Sequence, residues 1–386
     1  NYLTGVASRV NTTNSSAVVL QSYIETTDTF GQPLTLRIGR QCLSFGKKFL
    51  ISDKTTPTQR ISFDAVRATY TPTDKLTIDA WVSKLFEGSP AEEDGDVDFY
   101  GVYATYAESD AVNASLYYML VRDGRSAASI YKKTPTPLWL AGAADDTYEP
   151  NLLNTVGGRF WGAYEGFDYA AELAYQFGPA DGEALSFASI NGVVALPNKH
   201  WDNIGADVEV GYTFDCKWKP RLFLGGVYYQ GGEAVLEGTD IRGNNLYMMK
   251  PSFNRLFSDT NYCPAVQDNG DMTNFAQVRG GVIVNPLDKV SVMLRGQQLW
   301  VTETVPGSSD NIGTQLDTLV KYQYSKDLLV MFYYGHLFNG SSTKNGNFIH
   351  SYGNASDLGT MPVTVPQAPG ANDDADYMFW MLSLKI

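Results

Sequence analysis

Between the apolar stretches of this 386-residue chain, connections alternate between very short and very long. The tight ones fall at Thr71–Asp74 (TPTD), Glu108–Asp110, Glu165–Gly166, Asp215–Lys219, Asn285–Asp288 (NPLD) and Ser325–Asp327. The long ones, rich in Gly, Asn, Asp and Pro, cover 46–60, 87–97, 123–152, 178–203, 231–271, 303–311 and 339–373. A membrane-spanning β-barrel keeps its short turns at one end and its long loops at the other. A soluble β-sandwich has no reason to sort its loops in this way.

The stretches between these connections alternate with a period of two. Phe167, Tyr169, Ala171, Leu173, Tyr175 and Phe177 share one face against Asp168, Glu172 and Gln176. Ile204, Ala206, Val208, Val210, Tyr212 and Phe214 oppose Asp207, Glu209 and Thr213. The last stretch, Asp376 to Ile386, puts Met378, Trp380, Leu382, Leu384 and Ile386 together and ends its other face in Ser383 and Lys385. A tilted strand of about ten residues crosses a bilayer's hydrocarbon. Tyr or Phe often caps the apolar face at a strand end, as an interfacial aromatic girdle does. Counting from Ala17 gives fifteen candidate strands, and Leu3 to Val10 makes a sixteenth that enters on the short-turn side. The expected fold is all-β: one transmembrane antiparallel barrel domain over 1–386, with 16–18 strands, short periplasmic turns and long extracellular loops. The competing class, a soluble sandwich, would stay monodisperse without detergent.

Composition narrows the function classes. The 24 Tyr and 36 Gly suit hairpins better than helices. No run of 18 apolar residues occurs, which excludes a helical membrane span. No signal peptide is evident, so an exported protein would here be read as a mature chain. A net charge of −13 argues against nucleic acid as a partner. Cys42, Cys216 and Cys263 form no CxxC, and His200, His336 and His350 fall in loops or near a strand end. A zinc site, a disulfide framework and a catalytic triad are therefore not expected, and no GxSxG is present. We expect no enzyme activity and no cofactor.

LRIGRQ (36–41) followed by SFDAVR (62–67) resembles the alginate-export family of outer-membrane barrels. FDYAAELAYQFG (167–178), SFNRLF (252–257), IGTQLD (312–317), YGHLFNG (334–340) and DDADY (373–377) are similar too, in order to the chain end. Ala65 stands where that family usually has Gly, Gln315 where it often has Glu, and the chain ends in Ile386 instead of an aromatic. The family barrel has about eighteen strands. That implies that Asn1 is not the mature N-terminus and that two strands precede it. The resemblance implies an outer-membrane location and an export channel for an acidic polysaccharide such as alginate.

A wet lumen tolerates charge where the lipid face does not. Alternation points Arg37, Arg159, Arg279, Arg295 and Lys321 inward, with Asp79, Asp168, Glu172, Asp207, Glu209 and Asp317. Register about the short turns sets Arg159 against Glu172 and Arg67 against Asp79. About NPLD it sets Arg279 against Arg295 and Gln277 against Gln297, and register about the 303–311 loop sets Asp317 diagonal to Arg295. Like charges facing each other cost stability. Either Asp317 offsets them, or the arginines form the basic side of a transverse field whose acidic side is Asp168, Glu172, Asp207 and Glu209. Arg40 is turned inward by a bulge at Gly39 or sits at the rim. Glu92, Glu93, Asp94, Asp96 and Asp98 form an acidic loop that is a weak calcium candidate without EF-hand spacing.

Mixed lumen charge favours a diffusion porin for small hydrophilic solutes over a polyanion exporter. A surface barrel with a plugged lumen stays open as a third reading, because loops 231–271 and 339–373 could fold inward. Expected partners are outer-membrane lipid or lipopolysaccharide and small hydrophilic solutes or an anionic saccharide; the oligomeric state is not legible.

Overall fold

The structure, a computed structural model, describes residues 19–53, 61–87, 96–124, 150–180, 200–239, 245–264, 272–304, 306–344, 349–352, 363–364 and 374–384. The first ten strands are β1 (Ser22–Thr26), β2 (Leu34–Gln41), β3 (Phe63–Thr73), β4 (Leu76–Phe86), β5 (Val97–Ala107), β6 (Asn113–Asp123), β7 (Asn151–Tyr164), β8 (Phe167–Pro179), β9 (His200–Thr213) and β10 (Arg221–Tyr229). A hairpin of β11 (Ala234–Thr239) and β12 (Asn245–Met249) follows, then the short β13 (Met272–Thr273). Next come β14 (Phe275–Leu287), β15 (Val290–Val301), β16 (Asn311–Gln323) and β17 (Leu328–Asn339). The chain ends with the short β18 (Ile349–Tyr352) and β19 (Val363–Thr364), and with β20 (Ala375–Leu384).

Fifteen of these strands form one antiparallel sheet, in the order β1 to β10, then β14 to β17, then β20. That is the number counted from Ala17; the sixteenth read at Leu3–Val10 lies outside the described residues. All six short turns expected from sequence join neighbouring strands at one end of the sheet, and the long loops leave from the other. The β7–β8 turn is tightest: Glu165 (φ 49°) and Gly166 (φ 85°) both take positive φ, which lets two residues reverse a twisted hairpin.

Alternation shows directly in burial. Outward residues such as Val66, Leu116, Leu173, Ile204, Leu224, Leu294 and Trp380 are exposed, while inward neighbours such as Ala65, Met119 and Ala174 are buried. On β20, Met378, Trp380 and Leu382 are 65%, 72% and 56% exposed, as the last stretch of the sequence leads one to expect. A continuous apolar outer wall of this kind belongs in hydrocarbon, not water. What is buried lies inside, and it is made as much by loop residues as by the wall. Leu43, Phe49, Leu50, Ile51, Phe253, Leu256 and Phe257 join Phe63, Trp81, Phe99, Tyr229 and Phe275 in one cluster.

Two hairpin registers differ from those read about their turns. On β14 and β15, Arg279 stands opposite Gln297 and Gly281 opposite Arg295, so the arginines do not face each other. An irregularity between Val284 and Leu287 shifts the pairing before it reaches the turn. On β3 and β4 a similar shift between Tyr70 and Thr73 sets Arg67 opposite Trp81 and Thr69 opposite Asp79. The β7–β8 register, with no such shift, puts Arg159 opposite Glu172 as expected.

Candidate functional site

Two connections fold into the loop-side half of the lumen. In the first, 42–53, Phe45 stacks on Trp81 (4.9 Å) and Tyr103 (4.8 Å), and Phe49 stacks on Tyr229 (5.5 Å). In the second, 250–264, Phe253 stacks on Tyr229 (5.4 Å) and Phe257 meets Phe63 edge-on (4.9 Å). The wall clamps this second segment through backbone. Gln176 accepts from the Asn254 N–H (2.7 Å) and donates to the Asn254 carbonyl (2.7 Å), and Asn203 donates to the Pro251 carbonyl (3.1 Å). The segments grip each other by a parallel bridge between Ile51 and Phe257, with the Phe257 N–H donating to the Leu50 carbonyl (2.8 Å).

Arg255 holds the second segment in shape. Its fully buried guanidinium donates to the Met272 carbonyl (2.9 Å), to Thr260 Oγ1 (2.8 Å) and to the Thr260 carbonyl. It also lies 4.8 Å from the Tyr229 ring centre and 5.2 Å from that of Tyr262. Delocalised charge stacked on aromatic faces, with carbonyls around its edge, is how a guanidinium is accommodated away from water.

Below these segments the wall is polar, and its arginines are paired with acids. Arg279 donates to Asp207 (2.8 Å) and Glu209 (3.2 Å). Arg221 donates to both oxygens of Asp168 (2.8 and 2.5 Å) and to Glu209 (3.0 Å). Arg295 stands directly opposite Asp317 and donates to it at 2.6 Å. Arg67 donates to Asp79 (2.9 Å), and Arg37 to Glu25 (2.6 Å). Arg159 approaches Glu172 at 3.9 Å and stacks on Trp161 (4.1 Å), while Tyr117 donates to Glu172 (3.2 Å). Lys321 is exposed, opposite Ser291 and Met331.

These pairs overturn the transverse field. Arg279 binds two of the acids assigned to the opposite side, so the acids of β8 and β9 and the arginines of β10 and β14 meet as neighbouring ion pairs and do not face each other across the lumen. Tyr262 joins the infolded segment to this belt: its hydroxyl donates to Asp207 (2.8 Å), and its carbonyl accepts from Gln277 (3.4 Å) and Arg295 (3.5 Å). Burial, with Tyr229 and Asp207 beside it, pushes the Tyr262 phenol well above the usual tyrosine range and keeps it a donor.

Sequence reasoning missed three of the residues that matter. Arg221 had a usable signal, since it shares parity with inward Phe223 and opposes outward Leu222 and Leu224. Arg255 lies within SFNRLF, a motif of the family resemblance that gave it no role, and Tyr262 had no signal, lying in a loop without periodicity. Of the acidic loop, Glu92, Glu93 and Asp94 lie outside the described residues. Asp96 and Asp98 converge on Lys84 Nζ (2.6 and 2.7 Å), so an ammonium stands where a calcium ion was considered. Arg40 keeps the outward parity of Ile38 and sits at the rim, although Gly39 has φ 124°. Cys42, Cys216 and Cys263 are not joined in disulfides, and Cys263 donates to Gln315 (2.8 Å).

The alginate export family model matches residues 6–352. The chain belongs to the alginate export family. This alginate-export barrel is therefore an outer-membrane channel protein, with short periplasmic turns and long extracellular loops. Among solved structures, OccAB1 of Acinetobacter baumannii superposes with a TM-score of 0.52 at 12% identity, covering 91% of this chain and 73% of that one. The outer membrane protein OprD from Pseudomonas aeruginosa gives 0.49 at 11% identity, covering 91% and 74%. The OccAB1 likeness speaks for the fold of this alginate-export barrel and for nothing finer. No curated protein matches it.

Proposed function

We propose that this alginate-export barrel is a single-domain passive channel for small hydrophilic solutes, with no catalytic step, in which the infolded segments set the size limit. The observation that carries this reading is the pairing of lumen charge. Arg221, Arg279 and Arg295 each hold a carboxylate at 2.5–2.8 Å. A polyuronate needs a run of cations free to take its carboxylates. Here those sites are already filled by the wall's own acids, so a long polyanion would have to displace them. Small polar solutes need only water and the half-exposed polar groups of the periplasmic half, such as Asp168, Glu209 and Arg37.

A second reading, a barrel whose lumen is stoppered for a surface role, draws support from the packed contacts between 42–53 and 250–264. Liposome swelling separates these. Proteoliposomes should swell in a neutral monosaccharide and much more slowly in a uronate oligomer. Equal or faster uptake of the uronate oligomer would favour export, and no swelling with either would favour the stopper.

A further inference from the structure

Trp161 stands on the inner face of β7 near its periplasmic end. Register places Asn113 (β6) opposite it on one side and Ala170 (β8) on the other, and Ala107 (β5) opposite Asn113. An indole set between an amide and two alanines has little to pack against, and Trp161 stays half-buried. Arg159, two residues earlier on the same face, lies over its ring at 4.1 Å.

The β5–β6 and β7–β8 turns complete a pocket here. Ser109, Asp110 and Glu165 join Ala107, Asn113 and Trp161 around an open cavity of about 780 Å³, a size that suits a small molecule. Its rim is pinned in place. The Ala163 N–H donates to the Asp110 carbonyl (2.8 Å), and the Tyr169 hydroxyl donates to the Ala111 carbonyl (2.8 Å). Asn113 donates to the Trp161 carbonyl (3.4 Å), which orients its amide.

Charge selects the class of ligand. Asp110 and Glu165 are acids, and no lysine, arginine or histidine lines the pocket with them. Neither acid is held in an ion pair among the described residues, so both keep their oxygens as acceptors. An anion would meet two like charges here. A cation seeking the indole would meet the Arg159 guanidinium, which already takes the attraction of the ring face. What suits the pocket is a neutral molecule rich in hydroxyls. A pyranose has a face of C–H groups that packs on an indole and an edge of hydroxyls that donate to carboxylates.

We propose that this pocket binds a neutral pyranose at the periplasmic mouth of the lumen, with its C–H face on Trp161 and its hydroxyls on Asn113, Asp110 and Glu165. The assignment rests on the channel reading and names a solute class for it.

Saturation-transfer NMR on the detergent-solubilised full chain, in a detergent without a sugar headgroup, tests this. Methyl glucoside should receive saturation at its ring hydrogens from the wild type, and its affinity should fall roughly tenfold in Trp161→Ala and in Asn113→Leu. Glucuronate and glucosamine, the anionic and cationic probes, should bind the wild type roughly tenfold more weakly than methyl glucoside. Heat-dependent gel mobility reports whether each variant is folded, and should Trp161→Ala fail to fold, Asn113→Leu carries the comparison. No methyl glucoside binding by the wild type would overturn the assignment. So would equal binding by the folded variants, or binding of either charged probe as tight as that of methyl glucoside. Planar-bilayer current through the wild type without sugar separates the two readings. A conducting barrel that binds no methyl glucoside sinks the site alone, and a barrel that binds it at Trp161 but passes no current sinks the channel reading alone.

Discussion

Tyr262 donates a hydrogen bond to Asp207 at 2.8 Å, and through it a loop that begins on the extracellular side is tied to the charge belt in the barrel wall. Asp207 also accepts from Arg279, so it keeps a partner if the phenol is lost. Tyr262→Phe should therefore leave the barrel folded and cost the infolded segment about 1 kcal/mol, the usual worth of one such bond. The expected outcome is a noisier single-channel current at unchanged ion selectivity. A trace indistinguishable from wild type would mean that this contact does not hold the segment in place.

Arg279 and Arg295 should respond differently to the same substitution. Arg279 faces Asp207 and Glu209, whose side chains are 18% and 21% exposed. Arg279→Gln leaves Asp207 without its charge partner, while Glu209 keeps Arg221, and should move the reversal potential in a salt gradient toward cations. Asp317 is wholly buried against Arg295. Arg295→Gln leaves it without its charge partner, a loss of about 3–5 kcal/mol, with little change in selectivity. Chemical denaturation and reversal potentials together check both halves. A selectivity shift in Arg295→Gln alone would contradict the placement of these pairs.

Gly205 is the seat of Phe253. A Cβ at position 205 would lie 2.4 Å from the Phe253 Cζ atom. Gly205→Ala should push that ring, and with it the second infolded segment, away from the wall. Overpacking of this kind costs about 1–3 kcal/mol. Faster proteolysis within 250–264 in intact cells would report the displacement. Protection equal to wild type would show that Phe253 does not rest on this glycine.

The wall was legible because a strand's side chains obey a period of two whatever surrounds it. Met378, Trp380 and Leu382 fall on one face in sequence and on one face in the structure. Register was legible only where the turn was regular. Glu165 and Gly166 reverse the chain in two residues, so Arg159 could be set against Glu172 by counting. NPLD conceals a shift between Val284 and Leu287, which no count across the turn reveals, and it moved Arg279 from Arg295 to Gln297. The lumen contents were not legible. Phe45, Phe253, Arg255 and Tyr262 lie in stretches without periodicity, and their positions are decided by partners up to hundreds of residues away.

Arg255→Met tests the infolded segments as a unit. It removes the charge that organises 250–264 and leaves the carbonyls of Met272 and Thr260 without their donor. Each buried acceptor left unpaired costs about 1–3 kcal/mol. The segment should loosen while the fifteen-strand barrel wall stays paired. Larger neutral sugars should then enter proteoliposomes that exclude them with the wild type. An unchanged size limit would place the constriction elsewhere.

The most direct measurement is single-channel current through the wild type and Arg255→Met in a planar bilayer. The account predicts small, discrete conductance steps from the wild type and larger steps from the variant. Folded protein that inserts and gives no steps at any applied voltage, in either form, would contradict it.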